Sequence, residues 1–264
     1  MSNLTVFGTK EWAPQSANIV EGCSNNCKYC YAREMAVRFG RREPDKWNME
    51  VYRADWASKK YNPTNGRIMF PSTHDITKGN LSWVIQFLSR ILEAGNEVLI
   101  VTKPQPECIK SICDSFRQYR DKIMFRFTIG SLDDRVLSFW EPGASKFTER
   151  LLSIQYAYFN GYKTSVSCEP MLDGHPELLA EVFLPYVTDA MWFGKPNFLI
   201  RRLSRNGFVD NISYKAAMTL QQTFSDDFIH KLFCRYESNP KIKWKESIKK
   251  VLNISIPEEI GLDV

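Results

Sequence analysis

Three cysteines fall within eight residues, in the run Cys23-Ser-Asn-Asn-Cys27-Lys-Tyr-Cys30. Cysteine thiolates hold iron–sulfur clusters, which ordinarily take four of them. Here the spacing is Cys-x3-Cys-x2-Cys, and no fourth cysteine follows closely. Three ligands on four irons leave one iron open to a small molecule, which marks a centre that does chemistry rather than one that only braces a fold. Gly22 lets the chain bend tightly into the loop. Two other readings use the same residues. A structural zinc site wants a second ligand pair; Cys108 and Cys113 have the wrong spacing for one, and His74 stands alone. A redox pair at Cys27 and Cys30 leaves Cys23 without a role.

Such a loop needs a scaffold. Short apolar runs at residues 16–20, 67–70, 97–102, 123–129, 163–168 and 190–193 read as strands. Several are almost continuously apolar, as in Val98-Leu-Ile-Val101, the pattern of strands buried on both faces. Helical periodicity fills the gaps. One helix carries Val84, Ile85, Leu88, Ile91 and Leu92, with Ser82 placed to cap it and Gly95 to end it. Another carries Phe147, Leu151, Ile154 and Tyr158 between Ser145 and Gly161. A third starts near Pro106, and a fourth covers 175–186. Strand and helix alternating in this way predict right-handed βαβ units on a parallel sheet. Six units suit an open or partial barrel, in which chemistry gathers at the C-terminal ends of the strands. The cysteine loop follows the first strand at that edge.

After Asn197 the rhythm stops, which divides the chain into residues 1–197 and 198–264. The second part reads as an Arg/Lys-rich helical extension. Ala216, Ala217, Leu220, Phe224, Phe228 and Leu232 give it one apolar face, and Lys241–Lys250 a basic end. The formal charge is +5, with 44% hydrophobic and 25% charged residues, ordinary for a globular enzyme. That small excess permits an anionic partner without requiring one. Seven cysteines, an odd number, argue against a disulfide framework. The first ten residues hold no apolar stretch of a secretory signal, and no run reaches the ~18–20 apolar residues of a membrane helix. The expectation is a soluble cytoplasmic protein with no membrane partner.

The triplet, with Tyr29 before its last cysteine and Tyr31-Ala32 after it, resembles the radical S-adenosylmethionine (SAM) superfamily. Further segments resemble its spore photoproduct lyase-like branch: Val101-Thr-Lys103, Phe125-Arg-Phe-Thr-Ile-Gly-Ser131, the stretch from Glu141 to Arg150, and Cys168-Glu-Pro170. The resemblance runs from about residue 16 to 197. It implies an α/β fold, a partial (β/α)6 barrel, carrying a 4Fe-4S cluster on Cys23, Cys27 and Cys30. SAM would chelate the open iron and be cleaved reductively to a 5′-deoxyadenosyl radical that abstracts hydrogen from a substrate. An electron donor such as flavodoxin or ferredoxin is implied as partner.

Carried over residue by residue, the resemblance gives SAM a bed. Lys103 would pair with its carboxylate, or simply extend along the strand end. Ser131 would bond the ribose, or cap a turn. The Tyr29 backbone would meet the adenine, Ser72 and Thr73 the amino end, and Glu169 the ribose or the substrate. His74, Asp75, Lys195 and Asn197 are placed to line the substrate side, while Glu141 is placed to position a loop with Arg150. One departure matters. The lyase carries a hydrogen-donating cysteine after the second strand, where this chain has Ser72 in Phe70-Pro-Ser72-Thr-His-Asp75. A hydroxyl is a far poorer hydrogen donor than a thiol. Cys168 could substitute, or be a small buried residue. Nucleobase or nucleic-acid substrates, a small molecule or peptide, and a non-catalytic iron–sulfur protein that binds nucleic acid all remain open.

Overall fold

From Arg67 onward the chain alternates strand and helix in the rhythm its apolar runs set. The computed structural model describes residues 8–256 and 260–261. In chain order the strands are β1 (Gln15–Ser16), β2 (Val20–Glu21), β3 (Val51–Tyr52), β4 (Arg67–Phe70), β5 (Glu97–Thr102), β6 (Ile123–Thr128), β7 (Lys163–Cys168), β8 (Met191–Phe193) and β9 (Ile242–Trp244). The helices are α1 (Tyr31–Arg38), α2 (Ala54–Ala57), α3 (Leu81–Glu93), α4 (Pro106–Ser115), α5 (Asp134–Trp140), α6 (Phe147–Phe159), α7 (Pro176–Phe183), α8 (Leu199–Arg205), α9 (Asn211–Thr223), α10 (Asp226–Tyr236) and α11 (Glu246–Leu252).

Among the described residues, seven strands form one sheet in the order β1-β4-β5-β6-β7-β8-β9, and every pairing in it is parallel. Strand neighbours are also neighbours in the chain, so each crossover is a single step. This is how an open α/β barrel winds. Side chains alternate across the sheet with a period of two. Ile68, Phe70, Val98, Ile100, Phe125 and Phe127 join the large core on the helix side. Met69, Leu99, Ala190 and Trp192 point the other way and pack on Trp12 and Ala13. The N-terminal turn therefore fills the concave face. Trp12 meets Trp192 edge-on at 5.8 Å, and the Arg126 guanidinium lies 4.7 Å from the Trp12 ring.

Four local details differ from the sequence expectation. The run at 16–20 divides: β1 pairs with β4, while β2 turns away to pair antiparallel with β3. The α3 helix starts one residue before Ser82, with Asn80 at its N-cap. The N-cap of α6 is Lys146, one residue past Ser145, and Glu149 closes the turn by accepting from the Lys146 N–H at 2.8 Å. The helical extension also contributes a strand. In β9, Ile242 and Trp244 are buried on either side of Lys243, and the strand docks parallel to β8. The lysines that flank these two apolar residues hid a period-two pattern. No helix among the described residues is long and apolar enough to cross a membrane.

Candidate active site at the barrel mouth

The cysteine loop is shaped from both sides by backbone that leaves no room for side chains. Gly22 sits at φ +89°, and a Cβ there would lie 2.4 Å from the Met49 carbonyl oxygen. Across the loop, a Cβ on Gly143 would lie 2.2 Å from the carbonyl oxygen of Ser24. Only glycine fits either position. Main-chain bonds fix the rest: Cys23 N–H to Trp47 at 2.8 Å, Lys28 N–H to Trp140 at 2.8 Å, and Gly143 N–H to Asn25 at 3.0 Å. Cys30 ends the loop as the N-cap of α1, its sulfur accepting from the Arg33 N–H at 3.4 Å. The positive end of a helix thus faces the last sulfur.

The three thiols are unpaired; Cys23 and Cys27 are buried and Cys30 is partly so. Burial pushes all three up from their ordinary range, and for Cys23 the nearby Asp75 and the other two thiols add to it. Thiolates here need a cationic centre to hold them deprotonated. Among the described residues no three His, Cys, Asp or Glu groups converge closely enough to hold a single metal ion.

Beneath the loop lies a buried polar knot centred on Asp75. Its Oδ1 accepts from the Lys103 N–H at 2.7 Å and the Thr102 hydroxyl at 3.0 Å. Its Oδ2 accepts from Asn25 at 2.9 Å, with the Lys103 ammonium at 3.5 Å and the Cys23 sulfur at 3.8 Å. Burial opposes both charges. The facing ammonium and these donors nonetheless hold the Asp75 carboxyl below its usual value, and Asp75 holds Lys103 well above its own. The Lys103 ammonium also lies 5.7 Å from the Tyr29 ring. His74 is buried with both ring nitrogens on main chain: Nε2 takes the Ile19 N–H at 3.4 Å and Nδ1 meets the Asp75 carbonyl at 3.0 Å. Burial lowers its pKa, so the ring is neutral. Neither His74 nor Asp75 is a free lining group.

The remaining expected residues divide between the mouth and the core. Asn18 grips the loop after β4, accepting from the N–H groups of Ser72 and Thr73 at 2.9 and 2.8 Å and donating to the Ser72 hydroxyl at 2.8 Å. Tyr31 donates its hydroxyl to the Ser72 carbonyl. Tyr29 does the same to Glu141, which pairs with fully buried Arg150. Ser131 is buried and its oxygen accepts from the Asp133 N–H at 2.9 Å, a local turn. Glu169, just past β7, keeps 27% of its side chain exposed and lies 3.6 Å from the Lys245 ammonium. Lys195 is anchored through its N–H to Ser247 at 2.9 Å, with its ammonium 3.8 Å from Asp226. Asn197 is half-buried in the loop before α8. Cys168 is fully buried in the helix-side core, where burial raises its thiol well above the ordinary value. Its setting is that of a packing residue.

Several residues the sequence did not single out belong to the same region. Asn206, after α8, is fully buried and donates to the carbonyls of Lys28 and Cys30 at 2.9 and 3.0 Å. Glu34 on α1 takes Arg205 at 2.7 Å and Arg201 at 3.5 Å. Lys28 donates to Ser213 at 2.9 Å and lies 3.7 Å from the Phe139 ring centre. Lys245 is buried, reaching Glu11 at 2.9 Å and the Trp12 ring at 4.2 Å as well as Glu169. Burial, offset in part by Lys245, raises the Glu11 carboxyl. Of these, Lys245 lay within the basic run Lys241–Lys250, and Arg201 and Arg205 within the basic stretch before it.

A parallel sheet wound one strand at a time, with a buried cysteine triplet after its first strand, is the partial barrel of the radical SAM fold. Solved structures share it at low identity. A spore photoproduct lyase variant with bound AdoMet and dinucleoside spore photoproduct superposes at a TM-score of 0.54, with 17% identity, over 92% of this chain and 79% of that one. Streptococcus suis SuiB bound to its precursor peptide SuiA superposes at 0.55, with 11% identity, over 94% of this chain and 54% of that one. In sequence, the chain is 27% identical over 166 residues to uncharacterized protein ORF301 of Acidianus two-tailed virus, spanning 58% of this chain and 54% of that relative. It thus spans about half the length of the curated relative it matches. No protein-family model matches the chain.

Proposed function

We propose that the protein is a radical SAM enzyme, with Cys23, Cys27 and Cys30 as ligands of a 4Fe-4S cluster. The carrying observation is the loop itself: three thiols that burial keeps neutral, presented together at the C-terminal edge of the sheet and braced by glycines that admit no side chain. A multi-iron cluster spaces its ligands wider than one ion does, which suits thiols that do not converge on a point. When bound, the cluster supplies the electron that cleaves SAM to a 5′-deoxyadenosyl radical. This chain's residues do the rest. Asp75 fixes Lys103 at the end of β5, from which its ammonium would meet the SAM carboxylate. Asn18 holds Ser72 and Thr73 where the amino end would lie. Ser131 and the Tyr29 backbone border the ribose and adenine side, and Glu169 faces ribose or substrate, with Lys195 and Asn197 beyond. Trp12 and Trp192 close the concave face below and keep water from it.

A nucleobase or nucleic-acid substrate is the reading we favour, in a cytoplasmic enzyme fed by a flavodoxin- or ferredoxin-type donor. Support comes from the lyase likeness and the basic residues 201–205 and 241–250. Phosphate contacts would make binding fall steeply with salt. SuiB carries the same fold with a bound peptide, which keeps a peptide substrate as the second reading. The test is anaerobic: protein reconstituted with iron and sulfide, reduced with dithionite and given SAM, should release 5′-deoxyadenosine. Cys30→Ala should release none and retain far fewer than the about four irons per chain of a full cluster. A fully loaded wild-type protein that makes no 5′-deoxyadenosine refutes the enzyme reading.

A further inference from the structure

The extension after residue 197 lies outside the resemblance, yet its first helix is fastened to the cluster loop. Asn206 bonds two carbonyls of that loop, and Arg201 and Arg205 straddle Glu34 on α1. Between these two arginines on the same short helix stands Arg202, and its situation differs from theirs. Among the described residues its side chain makes no hydrogen bond or ion pair, and its Nε is closed off from solvent without a partner. A guanidinium carries five N–H donors and cannot shed its charge. Leaving one partly buried and unpaired is costly unless something else fills it.

The surroundings say where it stands. Glu169, Cys30 and Glu34 act on its charge from a distance, while burial lowers its pKa. Asn206, at the end of the same helix, bonds the Cys30 carbonyl, and Glu34 on α1 takes Arg201 and Arg205, so α8 lies against the start of α1 and the cluster loop. Lys103 is engaged by Asp75 at 3.5 Å, whereas the Arg202 Nε is buried without a partner. Beside it, Phe198 starts α8 in the left-handed region at φ +54° with its ring 62% exposed. A bulky residue in that conformation is uncommon and concentrates at functional positions. Here it turns α8 so that Arg202 follows one helical turn later.

We infer that Arg202 is the oxyanion-binding residue of the mouth, receiving a carboxylate or phosphate group of one of the two reactants in a bidentate pair. The inference rests on reading the mouth as a SAM and substrate site, and the two can fail separately. Cluster-loaded wild type, Arg202→Gln and Arg202→Lys are titrated by equilibrium dialysis with SAM and, separately, with inorganic phosphate. Lys215→Gln, an exposed position on α9, controls for the lost charge. A tenfold or larger loss of SAM affinity in Arg202→Gln, partly restored in Arg202→Lys, supports the proposal and assigns the oxyanion to the SAM carboxylate. The same loss for phosphate with SAM binding unchanged supports it and assigns the oxyanion to the substrate. Affinities within twofold of wild type for both probes, in a variant of normal iron content and melting temperature, overturn it. So does a wild type that binds neither. Should Arg202→Gln fail to fold, Arg202→Lys decides, because a point charge that cannot make the bidentate pair should still weaken binding. Oxyanion binding lost on changing Arg202, in a protein that never forms 5′-deoxyadenosine, would sink the enzyme reading and leave this one standing.

Discussion

The cysteine loop is held from two sides by different physics. On the barrel side, a knot of charged and polar groups converges from β5 and the loop after β4, with Asp75 at its centre. On the outer side, the extension contributes a neutral amide, Asn206, the Ser213 hydroxyl on Lys28, and two half-exposed arginines on the buried Glu34 carboxylate. The inner support is buried and charged, so removing one member strands the others. The outer support is a buried neutral amide and ion pairs whose arginines reach water, so removing one of its members costs less. The inner side should therefore decide whether the loop exists, and the outer side how firmly it is held.

Asp75→Ala should have the largest effect on stability. It strands the Lys103 ammonium and N–H, the Asn25 amide and the Thr102 hydroxyl together, at a cost of about 3–5 kcal/mol, read from the denaturant midpoint of cluster-free protein. Asn206→Ala should cost about 1–3 kcal/mol and speed cluster loss in air, followed by the decay of visible absorbance. Equal costs for the two would collapse the distinction between the sides. The smallest effect is a pH dependence. Burial holds His74 below its ordinary value of 6.5, so between the folded and unfolded values the unfolded chain carries the extra proton. Stability is fully present above that ordinary value and falls as pH drops below it. His74→Asn should flatten this slope by up to one proton, measured by denaturation at a series of pH values. An unchanged slope would place His74 in contact with water.

The barrel side was legible in the sequence because its signals are local. Strand runs at 67–70, 97–102 and 163–168 match β4, β5 and β7 at both ends, and β5 shows why, since a strand buried on both faces is written as a near-continuous apolar run. The triplet was visible from its spacing alone, and Lys103 through the resemblance of Val101-Thr-Lys103. What escaped depends on distant pairing. The knot at Asp75 depends on Lys103, 28 residues on, whose N–H it accepts. Asn206 meets Cys30 across 176 residues, and no pattern around either announces that meeting. The β9 strand was masked by lysines whose charge suggests a surface helix. Ser131 accepts from the Asp133 N–H two residues on, a local turn that leaves its hydroxyl proton free to donate.

The central assignment, an iron on the triplet open to SAM, can be tested by electron paramagnetic resonance of dithionite-reduced protein recorded without and with SAM. An open iron predicts the signal of a reduced 4Fe-4S cluster whose shape changes when SAM is added, and loss of that signal in Cys30→Ala. A spectrum from a fully loaded cluster that SAM leaves unaltered would contradict it.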